Sequence, residues 1–390
     1  ESLVTKNLIR KLGDVDGVPR YKMANLIREY AKEQFEAGSE MNAIKLRHAD
    51  FYLRRSLEDD AKFSAVHKGS GSARWDLDAA NVIEAAETLM KAEKYPELVN
   101  LLYSLWQLFW IFDYEPDLVE KVNIYDIMTE AKDLDDEGRG KLVWLAGASA
   151  LSKGDIPAAE HMFAQAEHYL KDTDNRSGRA WASHLITSIR AAELRKEDYD
   201  DVIRSFENSL KVFREIGDYW GESGVIQNMA ALETSLKHYS KATKLYDEFE
   251  RLSSWSGSIA QLAHIKIMRG WISFMQKDDA NAVQYFREGM AFYRDSDSTE
   301  SVCYALVVIS QYLFKKGNDA GAMYMAGLVD NIISKYHFTP WQMLSPLTDS
   351  LKKIVEKKKR LPEYSEYEKA CRVGVFKGIR RSYDIIHESA

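Results

Sequence analysis

The side chains in this sequence that could do chemistry are scattered rather than gathered into a motif. His161 and His168 lie seven residues apart, so on a helix they would share a face and could hold a metal ion as a pair. The nine histidines include no HExxH motif, and the sequence has no nucleophile elbow. We favour a solvated helix face for this pair over a metal site.

Four other stretches carry charge or glycine without forming a recognisable site. Residues 138–141 (Gly-Arg-Gly-Lys) lack the first glycine and the trailing hydroxyl of a phosphate-binding loop, and residues 68–72 (Lys-Gly-Ser-Gly-Ser) are predicted to be a plain loop. The basic run 352–360 could touch an anionic partner or nucleic acid, but a charged helix face is the favoured interpretation. The acidic run 133–137 is typical of a helix N-terminus. We therefore predict no enzyme activity, no cofactor and no metal for this chain.

Composition narrows the classes of function further. The 390 residues are 45% hydrophobic and carry a formal net charge of −7, which argues against a surface built to coat nucleic acid. Cys303 and Cys371 lie far apart, so neither a disulfide framework nor a zinc site is indicated. No apolar run approaches the ~20 residues of a membrane span. A reducing, cytoplasmic location is the expectation.

A helix-hairpin pattern recurs five times between residues 141 and 329. The tight turns of the hairpins align at successive spacings of 43, 40, 40 and 40 residues. Five residues past each turn stands a small or β-branched residue, and four further on an aromatic one in the first four units. The aligned turns are Gly154, Glu197, Lys237, Lys277 and Gly317; the small column is Ala159, Val202, Ala242, Ala282 and Ala322; the aromatic column is Phe163, Phe206, Tyr246 and Phe286, broken by Ala326.

This alternation has a packing rationale. A small residue lets two helix backbones approach, while a ring one turn later fills the space beside the contact. The pattern is similar to the tetratricopeptide repeat, which has ~34 residues and a small residue in its first helix. The first-helix column starts at Gly147 and continues as Arg190, Ala230, Gly270 and Ser310.

The first 40 residues differ from the rest. Residues 3–10 and 20–23 are short extended runs on either side of a turn-rich tip at 13–19, which predicts a β-hairpin. Apolar residues at helical spacing then predict a helix from Asn25 that stops at Gly38. An amphipathic helix is expected at 41–60. Irregular helical hairpins follow to residue 133, with Pro96 and Pro116 each opening a helix.

Residues 3–10 (Leu-Val-Thr-Lys-Asn-Leu-Ile-Arg) and 19–31 (Pro-Arg-Tyr-Lys-Met-Ala-Asn-Leu-Ile-Arg-Glu-Tyr-Ala) resemble the end of the winged-helix domain in signal-transducing NTPases of the STAND class. Residues 46–53 and 75–82 resemble the linker helices that join this domain to a repeat-bearing arm. Relatives carry a Met-His-Asp triplet that senses the nucleotide's phosphate. This chain has Met23, Ala24 and Asn25 there, so nucleotide contact is not carried over to Ala24. The resemblance implies an NTPase domain before Glu1.

Repeats and resemblance together predict an all-α fold, a tetratricopeptide-like right-handed superhelix of helical hairpins with a small winged-helix remnant. The predicted segments are the end of a winged-helix domain at 1–40, linker helices and irregular hairpins at 41–133, five repeats of about 40 residues at 134–330, and C-terminal capping helices at 331–390. Prolines 340 and 346 should interrupt the last segment, and Pro362 should open one helical stretch to Ile386.

The predicted binding surface follows from the register of the repeats. Family geometry implies that positions two, five, nine and twelve of each unit line a concave groove. The candidates are Lys141, Trp144, His184, Thr187, Gln227, His264, Trp271, Phe274, Tyr304, Val307 and Gln311. Such a lining suits an apolar or mixed peptide, or a small effector. The alternative is that these aromatic side chains pack between units.

Three functions from different classes stay open. The favoured one is a ligand- or protein-sensing arm of a STAND-type NTPase, acting in transcription or defence, whose partners are an effector in the groove and the upstream NTPase domain. The second is a free-standing tetratricopeptide scaffold for protein–protein interaction. The third is an enzyme, for which the sequence offers no site.

Overall fold

The computed structural model of this chain describes residues 2–15, 18–36, 38–63, 72–112, 122–194, 196–256, 258–294, 299–336 and 345–388. The chain divides into two compact units. The first comprises residues 1–146 and 168–175, and the second residues 147–167 and 176–390.

The first unit begins with a small β-hairpin. A short helix α1 (Ser2–Thr5) leads into strands β1 (Ile9–Val15) and β2 (Val18–Met23), which pair antiparallel, and helix α2 (Asn25–Glu36) follows. A hairpin followed by a helix is confirmed, but the first extended run predicted at 3–10 was wrong at its start, because residues 2–5 are helical and β1 begins only at Ile9. The predicted tip was too long, because pairing continues to Val15 opposite Val18, two β-branched residues that favour extended backbone. Asp16 and Gly17 lie outside the described residues.

Helices make up the rest of the first unit: α3 (Met41–Phe63), α4 (Ser72–Lys91), α5 (Tyr95–Phe112), α6 (Ile124–Glu130) and most of α7 (Asp136–Ser152). The core of α3, α4 and α5 combines small and large side chains, such as Ala49, Ala85 and Leu98, each 0% exposed. Pro96 is the second residue of α5, where its missing N–H costs nothing. Pro116 and the glycine-serine run at 68–71 lie outside the described residues.

The second unit is built of successive helical hairpins. Its helices after α7 are α8 (Ile156–Tyr169), α9 (Arg176–Ala192), α10 (Tyr199–Ile216), α11 (Tyr219–Ser235), α12 (Tyr239–Ser256), α13 (Ile259–Met275), α14 (Asp279–Tyr293), α15 (Thr299–Lys315) and α16 (Asp319–Tyr336). A 3-10 turn, Lys196–Asp198, precedes α10.

Both predicted columns of the repeat lie in the core. Ala159, Ala242, Ala282 and Ala322 are 0% exposed and Val202 6%, while all four aromatic residues of the second column are 0% exposed. A Cβ atom on Gly147 would lie 2.9 Å from the ring of Phe163, and one on Gly270 would lie 2.7 Å from the ring of Phe286. In these two hairpins the first helix therefore packs directly against the ring of the second helix, as the repeat predicts.

The turns explain the one irregular spacing. Gly154, Lys237, Lys277 and Gly317 all have left-handed backbone, with φ of 76°, 64°, 67° and 81°. Glu197 instead lies in the 3-10 turn, because six residues separate α9 from α10 whereas three separate α7 from α8. The extra three residues account for the spacing of 43 rather than 40.

This longer turn corrects the predicted first-helix column. Alignment on the turn placed Arg190 in the column of Gly147, but Arg190 is exposed and pairs with Glu160 (Nε to Oε1 2.8 Å). Three residues earlier, Thr187 is buried and its Oγ1 lies 2.8 Å from Ser205 Oγ on the second helix of the same hairpin. Thr187 thus occupies the position of Gly147.

The C-terminal segment forms three helices, α17 (Ser345–Lys358), α18 (Tyr364–Ala370) and α19 (Val375–Glu388). The single helical stretch predicted after Pro362 was wrong, because it breaks after Ala370. At this break the Asn331 side chain of α16 donates to the carbonyl oxygens of Ala370 (2.9 Å) and Val373 (2.8 Å). In a continuous helix these oxygens would accept from backbone N–H groups of the helix itself. Pro340 and Trp341 lie outside the described residues.

Helices α18 and α19 pack on the second helices of the array. Gly327 of α16 lies directly under the Tyr367 carbonyl, and the guanidinium of Arg287 on α14 donates to the carbonyl oxygen of His387 (2.9 Å). Across the described part of the chain, no helix is both long and apolar enough to cross a membrane. The same residues contain no cluster of three or more His, Cys, Asp or Glu side chains suited to a metal ion.

Candidate functional site

The candidate site consists of side chains, most of them polar or aromatic, on the first helices of four hairpins in the second unit. We call it the first-helix set. Its members are Trp181, His184 and Ser188 on α9, Gln227 and Asn228 on α11, His264, Trp271 and Phe274 on α13, and Tyr304, Val307 and Gln311 on α15.

A buried carboxylate joins α9 to α11. Asp218 caps the N-terminus of α11, where its Oδ1 accepts from the backbone N–H of Gly221 at 2.9 Å. Its Oδ2 accepts from Trp181 Nε1 (3.0 Å) and from Ser177 Oγ (2.9 Å), both on α9. Asp218 is 1% exposed, so these charge-assisted bonds lie in a low-dielectric region. They fix the orientation of the Trp181 indole.

A second polar link lies two turns further along α9. Asn228 Nδ2 donates to Ser188 Oγ at 2.7 Å and lies 3.3 Å from His184 Nε2. Since the amide donates, Nε2 accepts, which places the imidazole proton on Nδ1. Complete burial lowers the pKa of His184 to about 3, so the ring is neutral at physiological pH. His184 is therefore a neutral hydrogen-bond acceptor at Nε2 rather than a cationic donor.

The same kind of link joins α11 to α13. Tyr219 at the start of α11 donates its hydroxyl to Gln261 Oε1 on α13 (3.1 Å), and Ser253 of α12 donates to the same oxygen (3.0 Å). His264, one turn further, is buried, and burial lowers its pKa to about 4. Neighbouring first helices are therefore connected by directional polar contacts as well as by apolar packing.

Aromatic side chains dominate the set on α13 and α15. The rings of Trp271 and Phe274 lie 5.9 Å apart, and Phe274 meets Tyr312 edge-on at 5.0 Å. Phe274 and Tyr304 are half-buried, so part of each residue is exposed to solvent. Gln311 is 3% exposed and donates to the carbonyl oxygen of Leu347 at 3.0 Å, and Val307 is 2% exposed.

Two predicted residues lie in the first unit and pack on α5. Trp144 is 0% exposed, with its ring 4.2 Å from that of Trp106 and 5.7 Å from that of Tyr103. Lys141 Nζ donates to Asn100 Oδ1 (2.9 Å) and lies 2.7 Å from Glu137 Oε1. Both contacts match the alternative that these side chains pack within the array.

The predicted positions thus divide by exposure. Lys141, Gln227, Phe274 and Tyr304 are partly accessible, whereas Trp144, His184, Thr187, His264, Trp271, Val307 and Gln311 are 8% exposed or less. Thr187 faces the second helix of its own hairpin. The register that aligned Arg190 with Gly147 was three residues too far along the chain. With the corrected register, Trp181 and Ser188 are α9 residues that contact Asp218 and Asn228.

Four residues of the site escaped sequence reasoning: Asp218, Asn228, Trp181 and Ser188. Asp218 carried a usable signal, since an Asp just before an aromatic run is typical of a helix N-cap. Trp181 and Ser188 would have been found by shifting the alignment of the second repeat by three residues. Asn228 had no local signal, because its partners are 40 and 44 residues away.

A second surface in the first unit is unusually apolar. Leu12, Tyr21, Leu26 and Tyr30 of the hairpin and α2 are 59%, 51%, 84% and 64% exposed. We call these four residues the N-terminal apolar face. Beside it a cavity of about 350 Å³ is lined by residues 7–10 and 22–25, including Arg10, Lys22 and the Met23-Ala24-Asn25 triplet.

Comparison with known proteins supports the fold. No protein-family model and no curated protein matches this chain. Among solved structures, a Rap protein complexed with competence and sporulation factor has a TM-score of 0.54 at 13% identity, covering 90% of this chain and 100% of its own. A STAND protein with a tetratricopeptide repeat sensor, from Pyrococcus horikoshii, has a TM-score of 0.53 at 12% identity. That match covers all of this chain and 57% of the Pyrococcus chain. The chain therefore has the all-α, tetratricopeptide-like helical-repeat fold that its sequence predicts.

Proposed function

We propose that this chain is the effector-sensing repeat arm of a STAND-type signalling NTPase. The observation that carries the proposal is the similarity to the STAND protein from Pyrococcus horikoshii, which extends over the N-terminal hairpin as well as the repeats. The sequence resemblance at residues 3–10 and 19–31 points to the same class independently of the repeats. The parent's output would be transcriptional regulation or defence.

The first-helix set, which lies entirely in the second unit, is the proposed effector site. A lining of Trp, Phe, Tyr and amide side chains with few charges fits a protein segment, a peptide of mixed polarity or a small effector. Half-exposed Gln227, Phe274 and Tyr304 would make first contact. The buried links around Asp218 and Asn228 would hold the first helices in place and so preorganise the site.

The N-terminal apolar face is the proposed contact with the upstream NTPase domain of the parent protein. Exposed apolar patches mark interaction surfaces, and these four residues are the exposed large apolar side chains of the hairpin and α2. Effector binding would favour one arrangement of the arm against that domain, through differential affinity for the two arrangements.

The decisive experiment starts from the coding sequence upstream of Glu1. The proposal requires a P-loop NTPase domain there, and the intact protein should hydrolyse ATP at a rate that effector binding changes. An open reading frame without a P-loop contradicts the NTPase part of the proposal and leaves the repeat arm's binding role to be tested separately.

Effector binding can be tested on this chain with a phage-displayed peptide library selected on the wild type. The variants Trp271→Ala and Tyr304→Ala should lose at least tenfold in affinity for a selected peptide, which corresponds to about 1.4 kcal/mol each, while far-ultraviolet circular dichroism stays unchanged. Phe376→Ala, which removes an aromatic residue 51% exposed on α19, is the matched control. Unchanged binding in both variants would assign the two rings to packing alone.

One observation favours a second candidate, a free-standing scaffold for protein interaction. The Rap structure matches over its whole length without a further domain. In that case the natural chain would begin near Glu1, and the selected peptides would bind without any linked NTPase activity.

A further inference from the structure

Four side chains from three elements converge on one buried carboxylate in the first unit. Asp78 of α4 is 0% exposed, and Arg20 of β2 grips it with both terminal nitrogens, Nη1 on Oδ1 and Nη2 on Oδ2 at 3.0 Å. Arg55 Nη2 of α3 lies 3.4 Å from Oδ2. Tyr52 of α3 and Asn81 of α4 donate to Oδ1 at 3.4 and 3.3 Å. This cluster therefore connects the N-terminal hairpin to α3 and α4.

The geometry of the hairpin directs the Arg20 side chain towards the Asp78 carboxylate. Successive side chains of a strand point to opposite faces, so Arg20 points towards Asp78 while Tyr21 belongs to the N-terminal apolar face. Opposite Arg20 stands Gly13, next to a register shift that leaves Leu12 without a partner on β2. Gly13 has φ of 147°, a backbone conformation that L side chains rarely adopt. Such bulges bend a strand and re-aim its side chains.

Asp78 has a second guanidinium partner, so the Arg20–Asp78 ion pair can break without leaving Asp78 unpaired. Removing one partner of a buried ion pair is usually costly because it strands the other charge. Here Asp78 would keep its contacts with Arg55 and Tyr52 of α3 and with Asn81 of α4. Arg20 has a side chain 21% exposed, against 15% for Arg55, and is carried by a two-stranded hairpin, an element of marginal stability by itself. Release of the hairpin therefore strands no buried charge.

We propose that Arg20 and Asp78 form a reversible latch, with Arg55 as the stand-by partner of Asp78, so that the hairpin can detach from α3 and α4 without unfolding them. In the latched state the N-terminal apolar face has a set orientation on the arm, and in the released state it is free to reorient. The latch is a property of this chain alone. Its test therefore does not depend on which domain, if any, precedes Glu1.

The test is hydrogen exchange, read by mass spectrometry on the whole chain. In Arg20→Met, amides of β1 and β2 should exchange at least about tenfold faster, the effect of losing one charge-assisted hydrogen-bonded pair. Amides of α3, α4 and α5 should stay within about twofold of wild type, because Arg55 still neutralises Asp78. In Arg55→Met the hairpin should remain as protected as in wild type.

The double variant, Arg20→Met with Arg55→Met, tests the stand-by role. It leaves Asp78 with no guanidinium, so α3 and α4 should exchange faster by more than the product of the two single effects. Arg54→Met, which removes an exposed pair with Asp50 on the same helix, is the matched control and should change neither segment. Equal acceleration of the hairpin and of α3 and α4 in Arg20→Met would overturn the latch. A double variant that equals the product of the singles would overturn the stand-by role.

Discussion

Asp218 illustrates how much one buried side chain can contribute to a repeat array. It caps α11 and at the same time accepts from Trp181 and Ser177 of the preceding first helix. A cap on an isolated helix satisfies only its own helix, whereas this one also orients a ring of the proposed effector site.

We expect Asp218→Ala to lower the free energy of unfolding by about 2–4 kcal/mol, because it removes a cap and leaves the buried Trp181 Nε1 donor and the half-buried Ser177 donor without this acceptor. The control is Asp278→Ala, an exposed cap of α14 that accepts from Asn281 N at 3.2 Å and should cost only about 1 kcal/mol. Urea denaturation measures both. Equal losses would mean that the contacts with α9 contribute nothing.

Two histidines in the same region should make stability depend on pH. The folded pKa values of His184 and His264 are lowered to about 3 and about 4, below the ordinary 6.5, by burial. The unfolded chain therefore binds protons first as pH falls, so stability is complete above pH 6.5 and is lost progressively down towards pH 4 and 3.

His184→Gln should flatten this dependence. Between pH 7 and pH 5 the wild type should lose about 2 kcal/mol more than the variant, since the imidazole accounts for that difference. Asp218, Ser188 and Asn228 are retained in both proteins, so the comparison isolates the imidazole. Thermal unfolding at the two pH values provides the measurement. Parallel slopes in the two proteins would contradict a buried neutral His184.

At the scale of elements, two of the hairpin turns place a lysine in a left-handed backbone conformation that favours glycine. Gly154 and Gly317 meet the left-handed turn at no steric cost, but Lys237 and Lys277 adopt φ of 64° and 67° with a Cβ atom. Left-handed backbone costs a non-glycine residue roughly 1–2 kcal/mol. These two turns are held by the packing of the flanking helices.

We expect Lys237→Gly to stabilise the chain by about 0.5–1 kcal/mol, because the relief of steric strain exceeds the added entropy of the unfolded state. Gly154→Ala places a Cβ atom in the same conformation and should destabilise by about 1 kcal/mol. Chemical denaturation of the two single variants gives opposite shifts in midpoint. A destabilised Lys237→Gly variant would show that the lysine side chain itself supports the turn.

At the scale of the whole molecule, the described apolar surface is unevenly distributed. The second unit packs its aromatic column completely, whereas the first unit leaves Leu26 and Tyr30 of α2 among its most exposed large side chains. A residue that is not buried contributes little to folding and is therefore available to a partner.

The double variant Leu26→Asp with Tyr30→Asp should leave the melting temperature of this chain within about 1 °C of wild type, since surface changes alter stability by at most about 0.5 kcal/mol. Leu89→Asp, at a residue 2% exposed on α4, should lower it by many degrees. Differential scanning fluorimetry compares the three proteins. A marked loss in the double variant would place the apolar face inside the fold.

Local pattern alone was sufficient for the repeat core. Ala159 and Phe163, with their counterparts, were predicted from spacing, because both residues act within one hairpin and their distance along the chain determines which face they share. For the hairpin, local turn signals predicted two paired strands before a helix, but they placed the first strand at 3–10 instead of Ile9–Val15. Register failed at Arg190, because the length of a turn cannot be read from the columns that flank it.

Composition and periodicity by themselves determined an all-α array of hairpins, its small-aromatic core and its N-terminal hairpin. Only the tertiary structure decided which polar groups meet: Asp218 with Trp181, Asn228 with His184, and Asp78 with Arg20. These contacts join residues 37, 44 and 58 positions apart. Helix-forming and packing preferences act over a few residues and leave a periodic trace in the sequence. A buried hydrogen bond between distant helices depends on how those helices are oriented, and it leaves no such trace.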